Sequence, residues 1–269
     1  MPSLYVPPTD WIPDFIHRSP AYNILQDIWT EIRSVWPSIH DLNQYMPPPY
    51  MLVPQGPKSD QFEHGYVVQI VQEHQIQTRT ACWHDFFNAL TWAAFPHSKQ
   101  RLNLRMYHSI LQRHEQGDTH RSHVENIGTL IDENGIVIAS SCKTILELIR
   151  TFQWKELFWE RRSVIAETCE PFLFGHALLE KCLNPYIGMT GHAILWHVEE
   201  CFFRQSIVER RLQVDQMLAS CLENPNALRK TRDLSPFPLL GYPGYYEAAN
   251  RESFYDNTHY FRPGRRGTS

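Results

Sequence analysis

The sequence predicts an α+β fold of one domain, in which a β-hairpin and several short strands pack on helices. Apolar residues make up 42% of the 269 residues, which is enough to bury a large core. Of the 19 prolines, 11 precede residue 58 and five follow residue 224, so regular structure is expected mainly between these positions. Within that region, segments of helical period alternate with strand-like ones. We therefore expect a proline-rich N-terminal segment with one helix (1–57), a mixed α/β core (58–224) and a proline- and aromatic-rich wrap (225–269), all parts of one domain.

The N-terminal segment predicts one helix followed by extended chain. Ser19-Pro20 is typical of a helix start, with Ser19 as N-cap and Pro20 at the first helical position. Apolar residues then recur at helical spacing, at Ile24, Ile28, Trp29, Ile32 and Trp36. Residues 45–57 contain three consecutive prolines and are expected to be extended or loop. Residues 66–71 are rich in β-branched side chains and predict a strand.

The sequence of the core region predicts a buried helix and a hairpin. Residues 83–95 (WHDFFNALTWAAF) are apolar nearly all round, which indicates a buried helix that Pro96 ends. Asn134-Gly135 separates two apolar runs and favours a type I′ turn, so we predict a hairpin over 129–139. Asp132 and Glu133 are then interpreted as turn residues rather than as an acid/base pair.

The sequence of the rest of the core region predicts alternating helices and short strands. An amphipathic helix is expected over 142–161. A strand at 172–174 is expected to run through Gly175 into a helix at 176–183. A further strand is predicted at 192–198 and a helix at 212–223.

Charge and composition exclude several classes of function. The net charge is −4, and the only dense basic run, residues 262–266, is interpreted as a solvated tail, so no strong nucleic-acid signal is present. No window reaches the roughly 18 apolar residues that a membrane span requires, and the first residues do not resemble a signal peptide. The cysteines are scattered, which favours reduced thiols and a cytoplasmic location. They are Cys82, Cys142, Cys169, Cys182, Cys201 and Cys221.

One polar cluster stands out within the predicted buried helix. His84, Asp85 and Asn88 lie three or four residues apart, so a helix places Asn88 beside both of the others. Their neighbours are large and apolar, and polar groups buried in such surroundings must be hydrogen-bonded or bound to a ligand. A histidine beside a carboxylate, shielded from water, can move a proton or hold a metal ion.

A structural interpretation of the same residues stands equally well. Asp85 would lie in the first helical turn, where the helix dipole favours a carboxylate. His84 and Asn88 could merely bond a neighbouring loop. The sequence therefore leaves both interpretations open.

A second candidate lies in the predicted turn from strand to helix. His176 follows Gly175 directly, at the expected N-terminus of a helix, where free backbone N–H groups favour an anion. His176 and Glu180 are four residues apart, a spacing that can present two ligands to one metal ion. A chance pairing is the alternative.

Neither the other histidines nor the common enzyme motifs provide a stronger candidate site. His114, His120 and His123 include an H-x-x-H spacing, but they stand in a polar stretch that is more typical of a solvated segment. The sequence contains no phosphate-binding glycine loop, dinucleotide fingerprint, nucleophile elbow or H-E-x-x-H motif.

Four blocks of the chain resemble a bacterial family catalogued only as a domain of unknown function. They are WHDFFNALTWAAFPHSKQRLN (83–103), TLIDENG (129–135), FGHALLEK (174–181) and DLSPFPLLGYPGYYEAAN…FYDN…YFRP (233–263). The resemblance implies a bacterial cytoplasmic protein with one family-wide domain. It carries no activity, cofactor or catalytic residue.

Two hypotheses on function follow. The first is an enzyme of hydrolase type acting on a small molecule, in which His84 is an acid/base or metal ligand, Asp85 orients it, Asn88 adds a polar contact and His176 approaches from the strand–helix turn. The second is a binding protein without chemistry that uses the aromatic-rich C-terminal region. The sequence specifies no metal, cofactor or protein partner.

Overall fold

The computed structural model describes residues 5–57, 59 and 61–264. Arg265 and Arg266 of the basic run therefore lie outside the described residues. The described chain mixes helices with two small sheets, which confirms the predicted α+β class. No helix in the described ranges has the length and hydropathy needed to cross a membrane.

The central sheet has four strands in the order β4-β3-β5-β6. They are β3 (Gly135–Ser140), β4 (Cys169–Leu173), β5 (Thr190–His197) and β6 (Ser235–Pro238). Strand β3 pairs antiparallel with β4 and parallel with β5, and β5 pairs antiparallel with β6. Every residue of β3 is buried, so this strand forms the centre of the core.

Helices surround the sheet, and a two-stranded parallel sheet lies beside them. The smaller sheet pairs β1 (Met51–Pro54) with β2 (Gln75–Thr78). The helices are α1 (Ile39–Asn43), α2 (Tyr66–Gln72), α3 (Trp83–Ala94), α4 (Pro96–Glu115), α5 (His123–Asn134), α6 (Lys143–Arg150), α7 (Arg162–Thr168), α8 (His176–Lys181) and α9 (Ile207–Glu223). Helix α4 packs against α9 and α5, and α3 packs against α8.

The predicted hairpin over 129–139 is wrong. Helix α5 occupies its first half, and Asn134-Gly135 joins this helix directly to β3. The helix begins at a capping box, in which the Ser122 side chain accepts from the Glu125 backbone and the Glu125 carboxylate accepts from Ser122 N–H. This serine–glutamate spacing is a sequence marker of a helix start, and it outweighs the turn preference of Asn-Gly.

The predicted strand over 66–71 is also wrong, since these residues form helix α2. Val67, Ile70 and Val71 are buried or half-buried and stand at positions i, i+3 and i+4, which is a helical apolar face. That face packs toward α4. The β preference of valine and isoleucine is a fraction of a kilocalorie per residue, so packing overrides it.

The predicted helix over 142–161 is interrupted after α6. Phe152 has φ +60, and the N–H groups of Phe152 and Gln153 bond back to Ile149 and Leu148 carbonyls. This is the Schellman arrangement that ends helices, with phenylalanine where glycine is usual. A π-helical turn over Glu156–Glu160 and then α7 continue the chain.

The N-terminal helix is shorter than its pattern predicts. Ser19 caps a 3-10 helix over Pro20–Leu25, as expected. The pattern fails beyond it, because Ile32 is 78% exposed. The buried Arg211 guanidinium binds the Ile24 carbonyl at 2.6 Å and the Asp27 carboxylate, while the Ile28 N–H bonds the Leu25 carbonyl instead of that of Ile24.

The other predicted elements of the core lie close to their expected positions, but regular structure is not confined to residues 58–224: α1 and β1 precede this region, and β6 follows it. Helix α3 is buried and ends at Ala94, and Pro96 starts α4, a helix that we did not predict. Strand β4 runs through Phe174 and Gly175 into α8, while β5 and α9 cover the predicted strand and helix.

Gly175 allows two chain junctions to touch. A Cβ atom at this position would lie 2.5 Å from Gly135 N and 2.6 Å from Asn134 Cα. Both Phe174 N–H and Gly175 N–H donate to the Gly135 carbonyl. The start of α8 is therefore held directly against the junction of α5 and β3, where only glycine fits.

We expect Gly175→Ala to destabilise the fold by about 1–3 kcal/mol, because the added methyl group meets backbone that cannot rotate away. Urea denaturation followed by circular dichroism measures the loss. Gly56→Ala is the matched control, since nothing lies within 4 Å of a Cβ atom there. Equal stability of the two variants would contradict the packing argument.

Candidate metal centre

Three helix ends meet at one cavity. The N-terminal turns of α3 and α8 bring His84 and His176, and the C-terminal turn of α5 brings Asp132 and Glu133. The cavity has a volume of about 570 Å³. Its lining is mainly polar and consists of Gln55, Gly56, Pro57, Ser59, His64, Gly65, Tyr66, Gln77, Arg79, His84, Asp85, Asn88, Asp132, Glu133 and His176.

The two histidines present the same ring atom to one point. His84 Nε2 and His176 Nε2 are 3.0 Å apart. Two imidazole nitrogens bound to one tetrahedral zinc ion would be about 3.3 Å apart, given bonds of roughly 2.0 Å. The separation therefore fits a shared ion as well as a direct N–H···N hydrogen bond.

Glu133 adds a carboxylate to the same point. One of its oxygens lies 4.0 Å from His84 Nε2 and the other 3.7 Å from His176 Nε2. In the part of the chain that the structure describes, these three residues form the one group whose ligand atoms all lie within 4.8 Å of one another. Two histidines and one carboxylate form a donor set that zinc and iron(II) both accept.

The Nδ1 atom of each histidine faces a further carboxylate, a different one for each ring. Glu180 Oε2 lies 3.3 Å from His84 Nδ1, and Asp132 Oδ2 lies 3.8 Å from His176 Nδ1. Histidines that bind metals usually donate their second ring N–H to such a partner, which leaves the first nitrogen free to ligate. The His84 ring is hydrogen-bonded in this way, while the His176 ring faces its carboxylate at a longer distance.

One buried nitrogen of this histidine pair has no hydrogen-bond partner in the described part of the chain. His176 is 3% exposed, and its Nδ1 has no hydrogen bond within the described residues. Burying such an atom unpaired is costly. An ion at Nε2 would fix the proton of His176 on Nδ1, where the Asp132 carboxylate can take its hydrogen bond after a shift of less than 1 Å.

A fully buried lysine supports this carboxylate. Lys99 is 0% exposed, and its Nζ donates to Asp132 Oδ1 at 2.6 Å and to Asn88 Oδ1 at 2.7 Å. The Asn88 amide in turn donates to the Tyr66 hydroxyl at 2.9 Å. These bonds connect Asp132, which faces His176, to Tyr66 in the lining of the cavity.

Asp85 is engaged elsewhere. Its carboxylate accepts from the Arg79 backbone N–H at 2.6 Å and from the Arg79 guanidinium at 2.8 and 3.0 Å. The predicted contact of Asp85 with His84 is absent among the described residues, and Glu180 takes that place. Asp85 therefore fixes the chain ahead of α3 and lines the cavity.

The pKa values of the side chains in this site are shifted by burial and by neighbouring groups of opposite charge. Burial lowers the pKa of His176 to about 3, so this ring is neutral, the form that ligates metals. The hydrogen bond with Glu180 raises the pKa of His84. Burial raises the pKa of Glu133. Burial alone would raise the pKa of Asp132 too, but the ammonium of Lys99 outweighs it and the pKa is lowered.

The structure brings the four predicted residues to one cavity and adds others that the sequence did not suggest. His84, Asp85, Asn88 and His176 all line it. Asp132 and Glu133 were misinterpreted as turn residues because the hairpin was wrong. The capping box that starts α5 was visible in the sequence and would have placed them on a helix. Glu180 was noted four residues after His176, but its contact is with His84.

The other histidine group lies apart from this centre. The ring of His114 stacks on Phe62, and the side chain of His120 is 93% exposed. Within the described ranges, His114, His120 and His123 form no cluster of metal-ligand atoms.

Fold and site together define the class as an α+β protein with a two-histidine, one-carboxylate cluster at the base of a polar cavity. The chain belongs to the family described as "Protein of unknown function (DUF3025)", whose model matches residues 51–265. The matched residues include every member of the cluster. Neither curated proteins nor solved structures show a match to this chain.

Proposed function

We propose that this protein is a metal-dependent hydrolase of small polar molecules, with zinc held by His84, His176 and Glu133. The observation that carries the proposal is the convergence of two Nε2 atoms 3.0 Å apart, each on a ring whose Nδ1 faces a carboxylate. Catalytic zinc sites commonly have three protein ligands and keep one position open for water.

The chemistry is that of a metal-activated water. A zinc ion lowers the pKa of its bound water to about 7. Held by His84, His176 and Glu133, the ion would supply an activated water as the nucleophile. The oxygen of this water would form a bond to an electrophilic carbon or phosphorus of the substrate, the scissile bond would break, and the leaving group would take the proton that the water gives up. Glu180 and Asp132 serve to orient the two rings, since each faces the nitrogen that does not ligate.

The cavity supports a small polar substrate. Its volume of about 570 Å³ falls within the range of small-molecule sites. Polar side chains dominate its lining, including Gln77, His64 and Arg79. We also propose a cytoplasmic location, which the scattered cysteines favour.

The binding-protein hypothesis receives less support. The C-terminal aromatic residues pack inward, and each of them is buried or half-buried. They are Phe237, Tyr242, Tyr245, Tyr246, Phe254, Tyr255, Tyr260 and Phe261. Their rings pack mainly against the core.

The test is the metal content of the protein purified without a histidine tag. We expect about one zinc ion per chain by mass spectrometry of the digested protein, removed by dialysis against a chelator and restored by added Zn²⁺. One iron per chain would replace the hydrolase assignment with an oxygen-dependent chemistry. A chain that takes up neither metal, even when both are supplied in excess, would overturn the proposal.

A further inference from the structure

The hydrogen bonds around Lys99 determine which way the Asn88 amide points. An ammonium group has three donors and no acceptor. The atom of Asn88 that lies 2.7 Å from Lys99 Nζ must therefore be the carbonyl oxygen, and the amide nitrogen must face Tyr66. Lys99 Nζ also lies 2.6 Å from Asp132 Oδ1, a second acceptor.

This orientation leaves the Tyr66 O–H without an acceptor among the residues that the structure describes. The Asn88 amide nitrogen donates to the Tyr66 oxygen at 2.9 Å, so that oxygen is an acceptor in this contact. A phenol also carries a donor of its own. Among residues 5–57, 59 and 61–264, no group accepts the Tyr66 O–H, and the side chain lines the same cavity as His84 and His176.

The charged side chains around the cavity indicate which class of substrate group can accept a hydrogen bond from Tyr66. Asp85, Asp132 and Glu133 line the cavity, and Arg79 is paired with Asp85. Lys99 is likewise paired with Asp132, so neither of these basic side chains is free to bind a strongly anionic phosphoryl group. A neutral carbonyl group needs no such cationic partner when it binds, and its oxygen becomes negative only when the nucleophile adds to the carbon.

Resting on the proposed hydrolase function, we infer that Tyr66 donates a hydrogen bond to the carbonyl oxygen of an acyl substrate, with Lys99 and Asn88 fixing the direction of that bond. Hydroxide adds to the carbonyl carbon, and the electron pair of the C=O bond moves to the oxygen, where the Tyr66 O–H stabilises it. The pair then returns, the bond to the amine or alcohol breaks, and the leaving group takes the proton of the water. Tyr66 keeps its own proton throughout.

Acetohydroxamic acid is a suitable probe, since it binds zinc through a carbonyl oxygen and a neighbouring oxygen. In the zinc-loaded protein, we expect Tyr66→Phe to weaken its binding about 10-fold, the value of one hydrogen bond to a charged acceptor. Tyr107→Phe is the matched control, because the Tyr107 hydroxyl only accepts from Gln72 at an exposed position. Isothermal titration calorimetry measures both affinities.

Asn88→Asp tests the direction of the hydrogen bond. A carboxylate at this position still accepts from Lys99, but its second oxygen also accepts, so the Tyr66 O–H turns away from the cavity. We expect Tyr66→Phe to change the probe affinity less than 2-fold in the Asn88→Asp background, against about 10-fold in the natural chain. The added charge of the aspartate cancels in this double-mutant cycle.

The outcomes separate the two proposals. Zinc binding with no effect of Tyr66→Phe, or with the same effect in both backgrounds, overturns the role of Tyr66 and leaves the metal centre standing. A natural chain that binds neither zinc nor the probe overturns both.

Discussion

His84→Ala is expected to weaken the zinc affinity of the protein by at least about 100-fold, because even partners of metal ligands commonly contribute 10- to 100-fold. The remaining donors, His176 and Glu133, would hold the ion by two contacts instead of three. His84 is the preferred position for this test, since its side chain is 31% exposed and its removal leaves no large buried cavity. Competition with a chelator of known affinity measures the change.

A histidine outside the centre provides the control. His120 has a side chain that is 93% exposed, so His120→Ala removes an imidazole without touching the cavity. We expect its zinc affinity to match that of the natural chain. Circular dichroism checks that both variants are folded. Equal zinc affinities of the two variants would show that the ion binds elsewhere.

Lys99→Met is expected to lower the free energy of unfolding by about 3–5 kcal/mol, the usual cost of leaving one member of a buried ion pair alone. Methionine fills most of the space of the lysine stem, so the loss reflects the charge rather than a cavity. The Asp132 carboxylate and the Asn88 carbonyl would both lose a donor that the structure places within 2.7 Å. Urea denaturation of the metal-free protein at neutral pH gives the value.

Removing the second charge should restore part of this loss. Asp132→Asn in the Lys99→Met background takes away the uncompensated carboxylate, so we expect a recovery of at least about 1 kcal/mol. Lys143→Met, at an exposed position, is the control and should change stability by less than about 0.5 kcal/mol. A double variant that is no more stable than Lys99→Met would contradict the ion-pair explanation.

The periodic parts of the sequence predicted the fold well. The apolar run of α3, the passage from β4 through Gly175 into α8, and strand β5 follow their predictions. The failures occurred where two local preferences competed. Asn134-Gly135 is a turn pair in isolation, but here it follows a helix that already has a capped start at Ser122. Residues 66–71 have β-branched side chains at helical spacing, and packing decided between the two.

The site was predicted only in part, for a related reason. His84 and His176 stand out because polar residues interrupt apolar patterns. Glu133 could be found only by placing it on the correct element, since a carboxylate next to a glycine turn is ordinary. Lys99 carries no local sign of burial, because nothing in the sequence around it indicates that α9 and α5 cover α4. Such residues are determined by tertiary contacts, which a local pattern does not contain.

The close contact of Gly175 with the α5–β3 junction couples the candidate metal centre to the central sheet. His176 and Glu133 lie beside these two touching junctions, so the hydrogen bonds of the central sheet set their separation. His84 comes from α3, far earlier in the chain. A bound ion would connect it to His176 and Glu133, and this connection would be lost when the ion is removed. Chelation would then loosen α3 from α8 while the sheet stays intact, and the concentration of free metal would tune the rigidity of the cavity.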